Sequence, residues 1–370
     1  MERCKSLSFF LQIDNRLLYD YNTTMFKPKY TLTNSLLINI RKVGELIGEL
    51  NSKQFTETVL YNLEKKARIL SSFTSTKIEG NPLSLTDVKI ILKTKPKNIK
   101  DTEKEVINYN DVVVMLNDEI KNTKDLILSD KLICKIQGIV TKGLLSSSYR
   151  GKYRKEPVFV NNPLTRETIY WPPDAKDVKK LMKELIDFVN KSEGKIDPLI
   201  LAGIFHKQSV VIHPFMDGNG RTTRLVTKTL LAKLGINTFP LFSFENYYNK
   251  DVSKYFQKVG VMGNYYDIAN NLDFTEWLEY FVEGILDELN RVKKDLPRYK
   301  ERLEPHEKKI VEYLRDNGSI SSHEYYEISK RAKSTRIKDF RMLRDRGIIK
   351  PVGQGKATYY VLDNDYWFLE

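Results

Sequence analysis

The feature that most limits how this chain can fold is one tight crossing between two helical patterns, His213-Pro-Phe-Met-Asp-Gly-Asn-Gly-Arg-Thr-Thr-Arg224. Asp197-Pro198 supplies an N-cap and a first-turn proline for a helix running to about Ile212. Pro214 enforces the exit from that helix, so the His213 imidazole projects from the mouth of a turn rather than along an apolar stripe. In Asp217-Gly-Asn-Gly220 successive backbone N–H groups can curl into an anion-binding nest, because glycine accepts backbone angles that other residues resist. The next helix begins within Gly220-Arg-Thr-Thr-Arg224 and is expected to stop at Gly235. Its N-terminal partial positive charge adds to the nest, and Arg221 and Arg224, three apart, lie close enough to address neighbouring phosphates. Asp217 would oppose an anion unless a divalent cation lay between them, so the loop points to a magnesium nucleotide.

With 370 residues, 41% of them apolar, the chain can build two or three packed domains. Cys4 and Cys134 stand far apart and in no metal-ligand spacing, which excludes a disulfide framework or zinc site of that kind and suits a reducing compartment. No apolar run approaches membrane-spanning length, and the opening stretch is too short and polar for a signal peptide. A cytoplasmic protein with no membrane partner is therefore expected. The net charge of +13 favours polyanionic partners, but excess lysine is also common in Lys/Asn-rich chains without one, and alone it decides nothing.

Periodicity predicts a mainly α-helical protein. Leu36, Leu37, Ile40, Val43 and Ile47, then Val59, Leu63, Ala67 and Leu70, mark helical faces that end at Glu79-Gly-Asn-Pro82, a helix stop with proline beyond it. Further helices are expected from Ser84 or Thr86, over roughly 102–121, 129–143 and 176–191, and around Trp277 to Asp295. Between Gly151 and Pro173 the period shifts to strand: Pro157-Val-Phe-Val160 and Thr168-Ile-Tyr-Trp171 read as one isolated hairpin. Pro297 and Pro305 bracket a charged linker.

The segment from His213 to Arg224 matches, at every specified position, the signature of the Fic family, His-x-Phe-x-Asp/Glu-Gly-Asn-Gly-Arg-x-x-Arg. The resemblance implies a helical Fic core that transfers AMP from ATP to a Ser, Thr or Tyr hydroxyl of a protein target, or of itself. In that scheme His213 is the general base, Asp217 holds Mg2+, Gly218, Asn219 and Gly220 form the anion hole, and Arg221 and Arg224 bind the outer phosphates. Phe215 would anchor the loop in the core, and His206 would be a structural partner rather than a second base. Ser75, Glu79 and Gly80 resemble the family's inhibitory motif, whose glutamate pairs with the second arginine of the signature, here Arg224. The two side chains of Ser75 and Glu79 are four apart on one helix face. Val158, Phe159 and Val160 correspond in position to the family's flap, which adds target backbone as an extra strand. Tyr255 and Phe256 resemble its aromatic pair near the adenine, and Asn270 its pocket asparagine, although the following interval is longer than usual and Phe256 stands where tyrosine is common.

Past His306 the pattern becomes three helices and a strand pair around Gly353-Gln-Gly355, which resembles a winged helix-turn-helix. Its recognition helix would be 334–346, with Arg336, Lys338, Arg341 and Arg344 able to reach DNA, while Asp339 and Asp345 dilute the basic face. Protein interaction or dimer formation is the other role open to such a module, and a homodimer is expected. The chain then divides into an N-terminal helical region at 1–100, a catalytic core at 101–296 and the terminal module at 305–370. A self-inhibited adenylyltransferase is the leading reading. The alternatives are a DNA-binding regulator that senses ATP, and a hydrolase that removes AMP at the same site.

Overall fold

Local capping sets most of the helix starts. Ser84 forms a capping box with Asp87, the Ser129 hydroxyl accepts from the Leu132 N–H, and Asp197 accepts from the N–H groups of Leu199 and Ile200 just ahead of Pro198. The computed structural model describes residues 26–51, 57–122, 127–161, 165, 167–233, 243–295, 303–345, 348–353, 355 and 358–363. Its order begins α1 (Asn34–Asn51), α2 (Glu57–Ile78), α3 (Leu85–Thr94), α4 (Asp101–Asn122), α5 (Asp130–Val140), β1 (Val160–Asn161) and β2 (Thr168–Trp171). It continues with α6 (Ala175–Ser192), α7 (Pro198–Ile212), α8 (Asn219–Lys233), α9 (Glu245–Lys250), α10 (Val252–Val259), β3 (Gly263–Asn264), α11 (Tyr265–Ile268) and α12 (Thr275–Asp295). The last part holds α13 (Pro305–Asn317), β4 (Ile320–Ser321), α14 (Ser322–Ser329), α15 (Lys333–Asp345), β5 (Ile349–Val352) and β6 (Tyr359–Leu362). The expected helix stop at Gly235, the hairpin turn at 162–164, the linker after Pro297 and Arg346 lie outside the described residues.

Helices α7 and α8 form the centre, packed by α4, α5, α6 and α12. Almost every residue of α7 is buried, both its apolar stretches and the polar His206-Lys-Gln-Ser209 between them. At Gly203 the helix meets α12 so closely that an added Cβ would fall 2.6 Å from Leu278, and the Trp277 indole donates to the Gly203 carbonyl at 2.8 Å. Helix α8 is buried too, yet it is rich in threonine, arginine and lysine. Such a helix survives burial only where its polar groups find partners. The end of α2 lies against it, and Gly80 (φ 91) turns the chain there. Among the described residues no helix is long and apolar enough to cross a membrane.

Four expectations need correction. The hairpin is not isolated: β1 pairs antiparallel with β2, and β2 pairs in parallel with β3, Tyr170 facing Gly263. The first strand is also shorter than expected, Val160–Asn161 in place of Pro157–Val160. Pro157 has no N–H to give a ladder, and the chain just before it is drawn away by Arg154, whose backbone N–H donates to the Pro214 carbonyl at 2.9 Å. In the C-terminal part the β5–β6 pair gains a third strand, β4, in the order β4-β6-β5, all antiparallel. Two residues, Ile320-Ser321, are too few to leave a readable period. Asp339 does not dilute a surface: it is buried, accepting from Tyr325 Oη at 2.8 Å and pairing with Arg331 at 2.8 Å. This part has its own core of Ile310, Leu314, Tyr325, Phe340, Leu343 and Ile349.

Candidate active site

The loop after α7 is held from three sides. His213 closes the helix in a left-handed backbone conformation (φ 50), its N–H donating to the Ser209 carbonyl at 3.1 Å. Buried Arg154 lies beneath it, with Nε donating to the His213 carbonyl at 2.8 Å and the guanidinium also reaching the Pro173 and Glu156 carbonyls. A cation suits the C-terminal end of a helix, where carbonyl dipoles converge. Across the loop, Asn219 Oδ1 accepts from the Phe215 N–H and its Nδ2 donates to the Phe215 carbonyl, both at 2.8 Å. Gln137 ties the far side, donating to the Asp217 carbonyl at 3.1 Å and accepting from the Gly151 N–H at 2.6 Å. Phe215 is buried against the Tyr153 ring. Gly218 has φ 77, and a Cβ there would fall 2.9 Å from the Thr141 methyl, so both backbone and space call for glycine.

The protonation of His213 follows from its neighbours. Its Nδ1 lies 3.3 Å from the Val210 carbonyl, which can only accept, so Nδ1 carries the hydrogen. In the neutral ring Nε2 is then the atom able to take a proton. Burial pushes the imidazole down to about 4, with Arg154 adding to the effect and the Val210 carbonyl, Glu79 and Asp217 opposing it. The ring is therefore neutral at physiological pH.

The two arginines are both engaged. Fully buried Arg224 donates from Nε to Ser75 Oγ at 2.8 Å, and from Nη2 to the Ser75 carbonyl at 3.0 Å and to Glu79 Oε1 at 2.7 Å. Its Nη1 donates to Tyr255 Oη at 3.4 Å. The Glu79 side chain is 29% exposed; burial works against its charge, but Arg224 and then Arg221 outweigh that and hold its pKa below the usual carboxylate value. The carboxylate also lies over the nest, since a Cβ added at Gly220 would be 2.2 Å from Glu79 Oε1. Arg221 faces Asp217 at 3.1 and 3.2 Å and Glu105 at 3.2 Å. One turn beyond Arg224, buried Lys228 donates to Ser71 Oγ at 2.6 Å and pairs with Glu245 at 3.4 Å, while Glu245 also accepts from Tyr109, Ser71 and Ser243. Helix α2 is thus tied to α8 at two successive turns.

Residues 127–231, the span that includes the loop and most of both helices around it, match the Fic/DOC family. That segment is similar to the Fic domain. The chain is 28% identical to "Protein adenylyltransferase Fic" of Aedes aegypti over 237 residues, 59% of this chain and 45% of that protein. To "Protein adenylyltransferase fic-1" of Caenorhabditis elegans it is 29% identical over 202 residues, 53% of this chain and 38% of that protein. The chain thus spans less than half the length of these relatives. Among solved structures, a Fic family protein from Desulfovibrio desulfuricans G20 superposes with a TM-score of 0.63 at 20% identity, covering 92% of this chain and 99% of that one. Fic-1 from Caenorhabditis elegans gives 0.55 at 24% identity over 70% and 72% of the two chains. These likenesses establish the fold.

Within the matched segment and its flanks, His213, Asp217, Gly218, Asn219, Gly220, Arg221 and Arg224 converge as the spacing implied, and Ser75 reaches them from α2 and Glu79 from the turn that follows it. Asn219 differs in detail: its side chain braces the loop instead of facing an anion. His206 is a buried structural group, within 3.2 Å of Tyr255 Oη and 3.1 Å of Thr227 Oγ1. Tyr255 is corrected as an adenine partner. Its buried ring stacks on Tyr248 with centroids 4.6 Å apart, so it offers Arg224 a hydroxyl and a purine no face. Phe256 beside it is 43% exposed, and Asn270 is exposed. Sequence reasoning missed Arg154, Gln137 and Glu105, none of which lies in the signature. A basic residue just after the Gly151 turn was the only visible cue.

The Asn219 brace makes a testable demand. Asn219→Ala leaves the buried N–H and carbonyl of Phe215 without these partners, which should cost about 1–3 kcal/mol. Denaturant unfolding should show this as a lower midpoint at unchanged slope. An unmoved midpoint would mean that the loop does not depend on the brace.

Proposed function

We propose that this chain transfers AMP from ATP to a hydroxyl side chain of a protein target, and that Glu79 restrains it. The observation that carries the reading is a neutral His213 with Nε2 free to accept, at the mouth of a glycine nest served by two buried arginines. The target oxygen attacks the α-phosphorus as Nε2 takes its proton, one O–P bond forms, and the bond to the β-phosphate oxygen breaks to release pyrophosphate. Gly218 and Gly220 give the nest its backbone freedom, and Arg224 addresses the outer phosphates once Glu79 lets go.

Asp217 suits the magnesium role. Its carboxylate is 49% exposed and borders the nest, and Mg2+ on a nucleotide commonly uses one or two protein carboxylates with phosphate oxygens and waters. Mg2+ there would neutralise phosphate charge. The flap reading for Val158, Phe159 and Val160 is supported by the position of β1, which Val160 opens, as the outer strand of its sheet among the described residues. Phe256 and Asn270 remain the adenine candidates. On α15 Lys338 and Arg341 are exposed, while Arg336 is drawn inward over the Tyr326 ring and donates to the Arg331 carbonyl, so a DNA contact would rest mainly on the former two and Arg344.

Intact-mass measurement after incubation with Mg2+ and each nucleoside triphosphate tests the proposal, using wild type, Glu79→Gly and His213→Ala with candidate targets. An added AMP that requires His213 supports it. No added nucleotide in any variant would leave an ATP-sensing regulator, and loss of AMP from a pre-modified target would mark a hydrolase.

A further inference from the structure

Arg221 sits between two carboxylates, one more than a single guanidinium charge needs. Asp217, on the loop, contacts Nη2 with both oxygens at 3.1 and 3.2 Å. Glu105, on α4, brings Oε1 to 3.2 Å from Nη1, a contact of charges without hydrogen-bond alignment. The other Glu105 oxygen accepts from Asn81 Nδ2 at 2.7 Å. Asn81 in turn donates to the Thr102 carbonyl at 2.8 Å and accepts from the Leu83 N–H at 3.1 Å. Glu105 is therefore fixed to the turn that ends α2, through a neutral amide that leaves its charge for Arg221. Glu79 lies within electrostatic reach of Arg221 as well, but its nearest oxygen is engaged by Arg224.

Asp217 cannot give its oxygens to a cation and keep both on Arg221. If it were the sole counter-charge, loading a metal would strand a guanidinium whose side chain is 5% exposed, and an unpaired buried charge is strongly unfavourable. We infer that Glu105 is a positioning residue for this site: it keeps Arg221 neutralised and in place while Asp217 turns to the divalent cation that arrives with the nucleotide. This rests on the nucleotide reading above. Arg221 Nε and Nη1 have no hydrogen-bond partner among the described residues, so the guanidinium keeps donors for phosphate while Glu105 balances its charge.

The test is calorimetric binding of an ATP analogue that cannot be cleaved between its α- and β-phosphates, titrated over Mg2+ concentration, with the full chain. In the Glu79→Gly background, where Arg224 is released, Glu105→Gln should raise the half-saturating Mg2+ concentration about three- to tenfold. Binding in EDTA should stay unchanged. Glu105→Asp, which keeps the charge, should restore part of the shift and guards against a Gln variant that folds poorly. A merely structural Glu105 would weaken binding equally with and without Mg2+, and that result, or an unmoved Mg2+ midpoint, overturns the inference. Failure of Glu79→Gly to bind nucleotide at any Mg2+ concentration overturns the nucleotide reading and this coupling with it.

Discussion

His213→Ala is expected to reduce AMP transfer by roughly 10²- to 10⁴-fold, the range associated with removing a positioned proton acceptor, while ATP binding stays within a few-fold. The reason is local. Nδ1–H is committed to the Val210 carbonyl, so Nε2 is the ring's only acceptor, and no second imidazole can replace it because His206 is buried between Tyr255 and Thr227. The pH dependence follows from the same surroundings. The active form is the neutral ring, and burial holds its pKa at about 4, so activity is lost as pH falls through about 4 and not through the ordinary histidine value. At pH 5 the rate should still be about nine-tenths of its neutral value if this group alone limits it. The stability effect has the same sign: the unfolded chain takes the proton near about 6.5 and the folded one near 4, so the contribution is full above 6.5 and declines as pH drops towards 4. A rate that halves near pH 6.5 would contradict a desolvated base.

Glu79→Gly is expected to raise transfer by about tenfold or more at saturating ATP, because it returns to Arg224 the freedom to orient the outer phosphates. On the proposed reading Glu79 would block in two ways. It takes Nη2 of Arg224 at 2.7 Å, and it lies so near Gly220 that the same carboxylate covers the nest. A phosphate and a carboxylate cannot share that position, and both carry negative charge. The substitution should also carry a stability penalty, since buried Arg224 loses its carboxylate while keeping Ser75 and Tyr255 as neutral partners. Glu79→Gly should therefore melt lower than wild type without ligand and gain more from Mg-ATP than wild type does. Glu79→Gln, which keeps the bulk and removes the charge, should fall between the two in rate. A Glu79→Gly protein no faster than wild type in saturating ATP would remove the inhibitory role.

The site was readable in the sequence to the extent that its chemistry is local. A proline that ends a helix, glycines that permit a nest and arginines spaced three apart act within one short segment, so spacing alone implied their convergence. Ser75 and Glu79 were readable through their four-residue spacing and their likeness to a known motif. Tyr255 was misjudged because an aromatic next to an exposed phenylalanine gives no sign of which ring faces inward. The stacking on Tyr248 decided that. Likewise the Pro157–Val160 strand was overestimated, because strand propensity cannot register the competing pull of Arg154 on the preceding backbone.

What the sequence determined by itself was the helical frame, its caps and the order of groups along the loop, since hydrogen bonds to near neighbours and backbone sterics need no distant partner. What only the tertiary structure decided was who holds each charge. Arg224 meets the turn after α2, Arg221 meets α4, and Lys228 meets α9, across 145, 116 and 17 residues of chain. Those pairings arise because α8 is buried on all sides and its cations must find counter-charges wherever packing brings them.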